Sequence, residues 1–305
     1  MVQPHIFSSR ESLFQRHVVR KKIGIFQRLT KGALPLFTRG GDEICVSPQI
    51  FGYYELRVKD LMDFYAAQGH SDFLIDIGAN IGLSTCQSGD RFKEVHCYEP
   101  NPSCFKILEV NTQISLSQCK LYLNQFGLGV EKSETILHAP RGNWGGAFVH
   151  DQYNSYSDEE IGRKDGYQGF DAARYQQIPI VIESGTEKLG ELFNSLTSRD
   201  LKNGFIKMDV EGYEPVIIES IAQSMPPNMN IIILFECFTK DFDPTKLLAC
   251  FNGRAEAFKL IRSPEKHIPR LKRLWTIITQ CGYIFEIAKF NSHSNSTDII
   301  FKVKT

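Results

Sequence analysis

The sequence lacks several features that would place it in a specialised class of protein. No apolar run approaches the length of a membrane span, and residues 1–10 lack the apolar core of a secretory signal. None of the eight cysteines forms a C-x-x-C pair, so no zinc site is predicted. Net charge is also absent, because 35 basic residues balance 35 acidic ones, and a dedicated nucleic-acid-binding domain is expected to be basic. We therefore expect a cytoplasmic globular protein with buried, reduced thiols and no nucleic-acid partner.

The most informative stretch is residues 73–82, FLIDIGANIG. Its apolar beginning predicts a strand buried on both faces, and the residues after Gly82 predict a helix. A strand, a glycine turn and a helix in this order direct helix amides at a ligand, and glycines let a ligand approach the backbone. We therefore predict that Asp76, Gly78, Asn80 and Gly82 belong to a cofactor site.

The spacing of this turn distinguishes two kinds of cofactor. Dinucleotide oxidoreductases carry G-x-G-x-x-G after the strand, but the middle glycine of that pattern is Asn80 here. The spacing G-A-N-I-G, with an acid two residues before the first glycine, is typical of S-adenosylmethionine (SAM) binding. SAM is the predicted cofactor, and an NAD-dependent oxidoreductase remains as an alternative.

Polar residues at the ends of the next two predicted strands extend this site. Glu99 ends the strand over residues 94–99, about 20 residues after Gly78, where an acid accepts hydrogen bonds from ribose hydroxyls. Its two oxygens can hold both hydroxyls of a diol. Asn124 and Gln125 stand near the end of the strand over residues 121–126. An amide supplies both donor and acceptor, so we predict that these two residues bind adenine.

Strands and helices alternate along most of the chain, which predicts a mostly parallel sheet with helices on both faces. The predicted fold is α/β, a doubly wound, mostly parallel seven-stranded sheet of the Rossmann-like kind. A terminal antiparallel hairpin is expected over residues 283–288 and 298–304, after a helix over residues 269–281. In such sheets ligands bind at the carboxyl ends of the strands, at the point where the strand order reverses.

Two regions depart from this alternation. Residues 1–42 form a basic N-terminal extension, with eight Lys or Arg and one acid between residues 10 and 39. It is predicted either to be a solvated helical extension or to contact an anionic membrane or phosphorylated carrier. Within the main domain, residues 43–305, a segment at about 130–182 combines short strands with a long tyrosine-rich loop. A loop of this length is functional or disordered, and we interpret the segment as a cover over the substrate.

Three motifs together resemble a known family. They are DIGANIG at 76–82, YEPNP at 98–102 and IKMDVEGYE at 206–214, and the last, of form K-x-D-x-E-G-x-E, is the most specific. The stretch from 45 to 240 is similar to the FkbM-type SAM-dependent methyltransferases, and FGLG at 126–129 and NWGG at 143–146 are similar to the middle section of that family. The resemblance implies the SAM-methyltransferase fold and O-methylation, often of sugars or natural products. The tyrosine-rich insertion departs from the family pattern and leaves the acceptor open.

The acids after the fourth predicted strand are the candidate catalytic groups. A hydroxyl acceptor must lose its proton as its oxygen attacks, so a carboxylate suits the role of base. Asp209 and Glu211 are predicted to be this base or to orient the acceptor, with His150 next in line. The alternatives are that Asp209 only bonds backbone or the methionyl ammonium, or that Asp209, Glu211 and Glu236 hold a divalent metal. Lys207 is expected to pair with one of these acids.

The helix that follows these acids carries two further carboxylates, Glu214 and Glu219, which we expect on its surface. The predicted function is SAM-dependent O-methylation of a hydroxyl on a small-molecule, glycan or natural-product acceptor. A SAM-binding regulatory module without catalysis is a second alternative to it. The sequence does not name the acceptor.

Overall fold

The computed structural model describes residues 35–164, 166, 168–237, 242–262, 269–271, 274, 285–290 and 297–305. The helices in this part of the chain are α1 Val46–Phe51, α2 Leu56–Ala67, α3 Leu83–Ser88, α4 Pro102–Ser115, α5 Asp158–Lys164, α6 Gly185–Ser198, α7 Glu214–Ser224 and α8 Thr245–Ala249. The strands are β1 Phe73–Ile77, β2 Glu94–Tyr98, β3 Lys120–Asn124, β4 Gly127–Gly129, β5 Ser133–Pro140, β6 Phe148–Val149, β7 Tyr175–Ser184, β8 Asn203–Met208, β9 Asn230–Glu236, β10 Ala255–Arg262, β11 Phe285–Lys289 and β12 Asp298–Val303.

The larger sheet has eight strands in the order β11-β10-β12-β9-β8-β1-β2-β3. The five strands from β9 to β3 run parallel, while β12, β10 and β11 add antiparallel pairs at one edge. The predicted α/β class with a large, mostly parallel sheet is therefore confirmed. The chain winds outward from β1 through β2 to β3, then returns to β8 on the other side. The strand order thus reverses between β1 and β8, which is where such sheets bind ligands.

The prediction of seven strands with a terminal hairpin is wrong. An unpredicted strand, β10, lies between β11 and β12 and pairs with both, so those two strands do not pair with each other. The sequence of β10, AEAFKLIR, is rich in residues that favour helices. Pairing on both of its edges outweighs that local preference, because strand formation depends strongly on neighbouring strands.

Both faces of the larger sheet are covered by helices. Along β1, Phe73, Ile75 and Ile77 pack into one apolar cluster, which includes Phe193 of α6. Leu74 points to the opposite face and packs into a second cluster, with residues of α2 and α4. Successive side chains of a strand alternate between faces, so burial of every residue of β1 follows from helices on both sides.

A second sheet has four strands in the order β4-β7-β5-β6. The short strands expected in the segment at about 130–182 are present as β5, β6 and β7, whereas β4 precedes that segment. The tyrosine-rich part contributes α5 and a small apolar cluster that contains Phe148, Tyr156, Ile161 and Tyr175. The insertion therefore adds a small apolar cluster, while Leu137, Ile178 and Ile180 of its strands pack in the same cluster as β1.

The basic extension falls mostly outside the described residues, as does the helix predicted over 269–281. Near the end of the basic extension, the Phe37 amide donates to Asn111 Oδ1 at 2.6 Å, and Asn111 Nδ2 donates to the Phe37 carbonyl at 3.0 Å. Asn111 also donates to the Ile81 carbonyl beside the glycine turn, at 2.7 Å. In the part of the chain that the structure describes, no helix combines the length and apolarity needed to cross a membrane.

Candidate functional site

The glycine turn after β1 is held by close packing within the protein. Gly78 has φ +78°, and a Cβ there would collide with the backbone carbonyl of Asp209. Gly82 has φ +84°, and a Cβ there would lie 2.8 Å from Leu108 Cδ1. Only glycine fits both the space and the left-handed backbone. We expected these glycines to let a ligand approach the backbone, but their nearest neighbours are the turn after β8 and helix α4.

Asp76 lies beneath this turn and lines neither of the two cavities described below. It is fully buried and accepts a hydrogen bond from Thr85 at 2.5 Å. The Lys207 ammonium of β8 lies 3.3 Å from Asp76 Oδ1 and 3.6 Å from Asp209 Oδ2. Burial alone would lower the pKa of Lys207, but these carboxylates raise it above its ordinary value. Lys207 thus pairs with Asp209, as expected. It also links β1 to the turn after β8 that carries Asp209 and Glu211, which we call the acidic turn.

Glu99 is buried at the end of β2 and braces the turns around it. Its two oxygens accept hydrogen bonds from the backbone amides of Asn80 and Asn101, each at 2.8 Å. Burial raises its pKa to about 7, although these two bonds act in the opposite direction. A carboxylate oxygen can accept more than one hydrogen bond, so both oxygens keep capacity for a diol.

Two adjoining cavities open at the point where the strand order reverses, and both are lined by Gly78, Asn80, Gly145 and Asp209. The first, which we call the apolar cavity, encloses about 640 Å³, part of it open to solvent. Glu99 stands on one wall. The opposite wall comes from the second sheet and includes Leu128, Leu137, Phe148, Val149, Ile180 and Ile182.

The second cavity, which we call the acidic cavity, encloses about 750 Å³ including open space. It is lined by four carboxylates and two ammonium groups, namely Glu55, Asp209, Glu211, Glu236, Lys164 and Lys207. Burial raises the pKa of Glu236 to about 7, and the nearby Asp209 adds to this effect. Burial and Asp209 also raise the pKa of Glu55. The candidate acids Asp209, Glu211 and Glu236 all line this cavity.

The acidic turn after β8 has an unusual backbone. Glu211 and Gly212 have φ +54° and +103°, and left-handed backbone is costly for a residue other than glycine. Glu214 stabilises this turn, because its oxygens accept hydrogen bonds from Val210 N at 3.1 Å and Gly212 N at 2.9 Å. The expectation that Glu214 lies on the helix surface is wrong, since the turn needs a buried acceptor; Glu219 is exposed, as expected.

Several buried polar atoms around the cavities have no hydrogen-bond partner among the residues that the structure describes. They include Asn80 Oδ1, Asn143 Oδ1 and Trp144 Nε1. Asn80 lines both cavities, Asn143 the acidic one and Trp144 the apolar one. Unpaired buried polar groups are costly, so these walls fit a ligand that carries donors and acceptors as well as an apolar ring.

The amides predicted to bind adenine are not brought to these cavities. Asn124 donates to the Cys97 carbonyl at 3.1 Å and lines a separate cavity with His96 and Tyr122. Gln125 is exposed and lines neither the apolar nor the acidic cavity. Asn124 is the last residue of β3 and Gln125 follows it, but neither side chain lines the apolar cavity that contains Glu99.

His150 is also placed away from the acids. Its Nε2 lies 2.8 Å from Asp158 Oδ1, and its ring stacks on Phe170 with centroids 4.0 Å apart. It lines neither cavity. The alternative metal ligands Asp209, Glu211 and Glu236 share the acidic cavity, but the described residues contain no group of three His, Cys, Asp or Glu side chains arranged to hold a metal.

Sequence reasoning missed several residues of the site. Tyr54 and Glu55 begin a stretch with helical spacing and carry no motif, and Lys164 lies in the tyrosine-rich segment without a motif around it. All three line the acidic cavity. The NWGG turn gave a partial signal, because it is similar to the middle section of the family, and it forms part of both cavities.

The chain is similar to known methyltransferases. The chain resembles the solved structure of precorrin-6y C5,15-methyltransferase from Geobacter metallireducens, with 10% identity, a TM-score of 0.40 and coverage of 89% of this chain and 95% of that one. It also resembles the O-methyltransferase from Bacillus cereus in complex with SAH, with 11% identity, a TM-score of 0.40 and coverage of 92% and 97%. No curated protein matches the sequence. The family model of the methyltransferase FkbM domain matches residues 76–285, well over half of the chain.

Proposed function

The chain belongs to the FkbM methyltransferase family, and from this premise we propose that it transfers a methyl group from SAM to a hydroxyl of a sugar, glycan or natural product. The observation that carries this proposal is the shared lining of the two cavities. Asp209 lies where the apolar cavity meets the acidic one, beside Gly78 and Asn80. The Asp209 carboxylate thus lies next to the glycine turn after β1, where it can take the proton of an acceptor hydroxyl.

The apolar cavity is the proposed site of the nucleoside. Glu99 offers its remaining acceptor capacity to the ribose hydroxyls. The apolar wall from the second sheet takes the adenine ring, a role that we no longer give to Asn124 and Gln125 because their side chains lie elsewhere. Asn80 supplies an acceptor and Trp144 a donor, neither of which has a partner in the described part of the chain. When bound, SAM supplies the methyl group as part of a sulfonium.

The acidic cavity is the proposed site of the acceptor. Methyl transfer is an in-line displacement, so the acceptor oxygen must be held close to the methyl and aligned with it. Asp209 or Glu211 accepts the hydroxyl proton as the oxygen attacks. The Lys207 ammonium, 3.6 Å from Asp209, balances part of the negative charge of this wall. His150 has no part in this arrangement because it lines neither cavity.

The charge of the acidic cavity also bears on the kind of acceptor. Four carboxyl groups and two ammonium groups line it, so it is not a basic surface. Nucleic acids bind through basic surfaces that neutralise phosphates. This supports a neutral, hydroxyl-rich acceptor over RNA or DNA. The family assignment sets aside the NAD-dependent oxidoreductase.

The proposal is tested by incubating the protein with SAM and a panel of glycans, hydroxylated natural products, amines and RNA. We expect a methyl ether, identified by mass spectrometry and NMR, on a hydroxylated member of the panel. Methylation of nitrogen or of RNA would contradict the proposal. SAM binding without transfer to any acceptor would favour a regulatory module. Repeating the active reaction after exhaustive chelation tests the metal-assisted variant, which loses support if the rate is unchanged.

A further inference from the structure

The inserted segment contacts the backbone of the acidic turn. Asn154 Nδ2 donates to the Glu211 carbonyl at 3.0 Å and to the Val149 carbonyl at 2.7 Å. The Ser155 amide donates to the Gly212 carbonyl at 2.9 Å. A Cβ on Gly212 would collide with the Asn154 side chain, so the insertion packs directly on the turn. The backbone of the turn is thus tied to a segment more than fifty residues earlier in the chain.

The insertion also contacts the side chains of the turn. The Lys164 ammonium, at the end of α5, pairs with Glu211 Oε1. The Tyr213 hydroxyl donates to the Asp151 carboxylate. Both Lys164 and Glu211 line the acidic cavity, and Tyr213 lines the apolar one. The contacts therefore lie at the candidate site and not at a remote surface.

Glu211 needs such support for two reasons. Its left-handed backbone is costly and persists only where surrounding structure fixes it. The residue is 7% exposed, and its carboxylate faces the like charges of Asp209 and Glu214. Lys164 is the cation that acts on it most strongly, and it lowers the pKa of Glu211 against the larger effect of burial, which raises it. Lys207, Glu55 and Glu236 line the same cavity.

We propose that the inserted segment positions Glu211, with Lys164 holding its carboxylate in the acidic cavity and Asn154 holding its backbone. The second sheet is then a structural part of the acceptor site, beyond its role as a cover. This inference rests on the proposed function only for the part that Glu211 plays in methyl transfer. Its contacts with Lys164 and Asn154 can be tested without an acceptor.

The first test removes the charge of Lys164 and measures the ionisation of Glu211. Infrared difference spectra between each protein and the same protein carrying Glu211→Gln isolate the carboxyl band of Glu211, which is then titrated with pH. In Lys164→Met we expect the midpoint to rise by about one pH unit or more, because a nearby positive charge favours the ionised carboxyl. Lys164→Arg should restore a midpoint near that of the wild type. Arg163→Met is the matched control, because Arg163 is the exposed neighbour on α5 and should leave the midpoint unchanged.

The second readout is the pH dependence of kcat for methyl transfer. The acid limb of the Lys164→Met profile should move to higher pH, in parallel with the infrared midpoint. A loss of rate by the same factor at every pH would indicate a merely structural role for Lys164 and would overturn the inference. Equal infrared midpoints in Lys164→Met and the wild type would also overturn it, whether or not methyl transfer occurs. A raised midpoint with an unchanged kcat profile supports the contact but contradicts the role of Glu211 in the proposed function.

Asn154→Ala tests the backbone half of the inference. We expect the amides of residues 210–214 to exchange hydrogen with solvent at least tenfold faster, while the amides of β1 exchange at the wild-type rate. Unchanged exchange over 210–214 would show that Asn154 does not hold the turn. This measurement needs neither SAM nor an acceptor.

Discussion

The two walls of the candidate site are built in different ways. The wall from the parallel sheet uses short turns after β1, β2 and β8, in which carboxylates accept backbone amide hydrogen bonds, as Glu99 and Glu214 do. The wall from the inserted segment consists of apolar side chains of the second sheet and the Lys164 ammonium of α5. The first wall is encoded within a few residues of each strand end. The second depends on contacts between distant parts of the chain, and we connect it with the choice of acceptor.

The largest expected effect concerns the acids where these walls meet. Asp209→Asn and Glu211→Gln keep size and hydrogen-bonding capacity but lose basicity. A general base contributes a factor of about 10²–10⁴, so we expect at least one of the two substitutions to lower kcat by two orders of magnitude or more. SAM affinity should stay within a few-fold of the wild type, which steady-state kinetics and calorimetry can check together.

Normal turnover of both amide variants would show that these acids are structural. The exposed Glu219 provides the control, because Glu219→Gln removes the same charge from the outer face of α7. Its kcat should equal that of the wild type.

The next effect compares a contact within the first wall, at Gly78, with a contact between the two walls, at Gly212. In Gly78→Ala the new Cβ meets the backbone carbonyl of Asp209, whereas in Gly212→Ala it meets the amide end of the Asn154 side chain. A side chain can move aside more easily than backbone. We expect Gly78→Ala to lower the free energy of unfolding by about 2–5 kcal/mol, through left-handed strain and overpacking, and Gly212→Ala to lower it less.

Gly253→Ala is the matched control for this comparison. Gly253 has φ +79°, close to the +78° of Gly78, but a Cβ there has no neighbour within 4 Å. It should therefore show only the left-handed strain, about 1–2 kcal/mol. Denaturant unfolding followed by circular dichroism measures all three. Equal losses for Gly78→Ala and Gly253→Ala would contradict the close packing of the two turns.

The smallest expected effect is on the pH dependence of stability. Burial raises the pKa of Glu236 to about 7 from its ordinary value of 4.5. Between these values the folded state binds more protons than the unfolded state, so the stability that neutral Glu236 contributes is lost as pH rises. Glu236→Gln should make the free energy of unfolding fall less steeply over this window, by up to about 1 kcal/mol per pH unit.

Unfolding curves at a series of pH values measure this slope. Glu219→Gln should leave the slope as it is in the wild type, because Glu219 is exposed. A Glu236→Gln slope equal to that of the wild type would mean that Glu236 is ionised in the folded protein at neutral pH.

Much of the first wall could be predicted from the sequence because its signals are local. The apolar run at β1 and the acid at Glu99 are each specified by residues close in sequence. The placement of Asp209 and Glu211 in one cavity follows from their position in the same turn after β8. The position of Asp76 outside both cavities did not follow, because its partner Lys207 comes from a strand more than a hundred residues away.

The second wall could not be predicted in the same way. The contact between Lys164 and Glu211 joins a loop helix to a turn, and neither residue carries a pattern that indicates the other. Asn124 shows the opposite error, because a polar residue at a strand end was expected in the site but bonds a neighbouring strand. Strand β10 was missed because its composition favours helix while its neighbours impose a strand.

The central claim is that the cavity between the turns after β1 and β2 binds SAM through Glu99. Calorimetric titration of SAM into the wild type, Glu99→Gln and the control Glu219→Gln tests it directly. Glu99→Gln replaces one carboxylate oxygen by a donor, so a charge-assisted hydrogen bond of roughly 1.5–3 kcal/mol is lost. We predict one SAM per wild-type chain, at least tenfold weaker binding in Glu99→Gln, and wild-type affinity in Glu219→Gln. Equal affinity in all three folded proteins, or binding of NAD in preference to SAM, would contradict the claim.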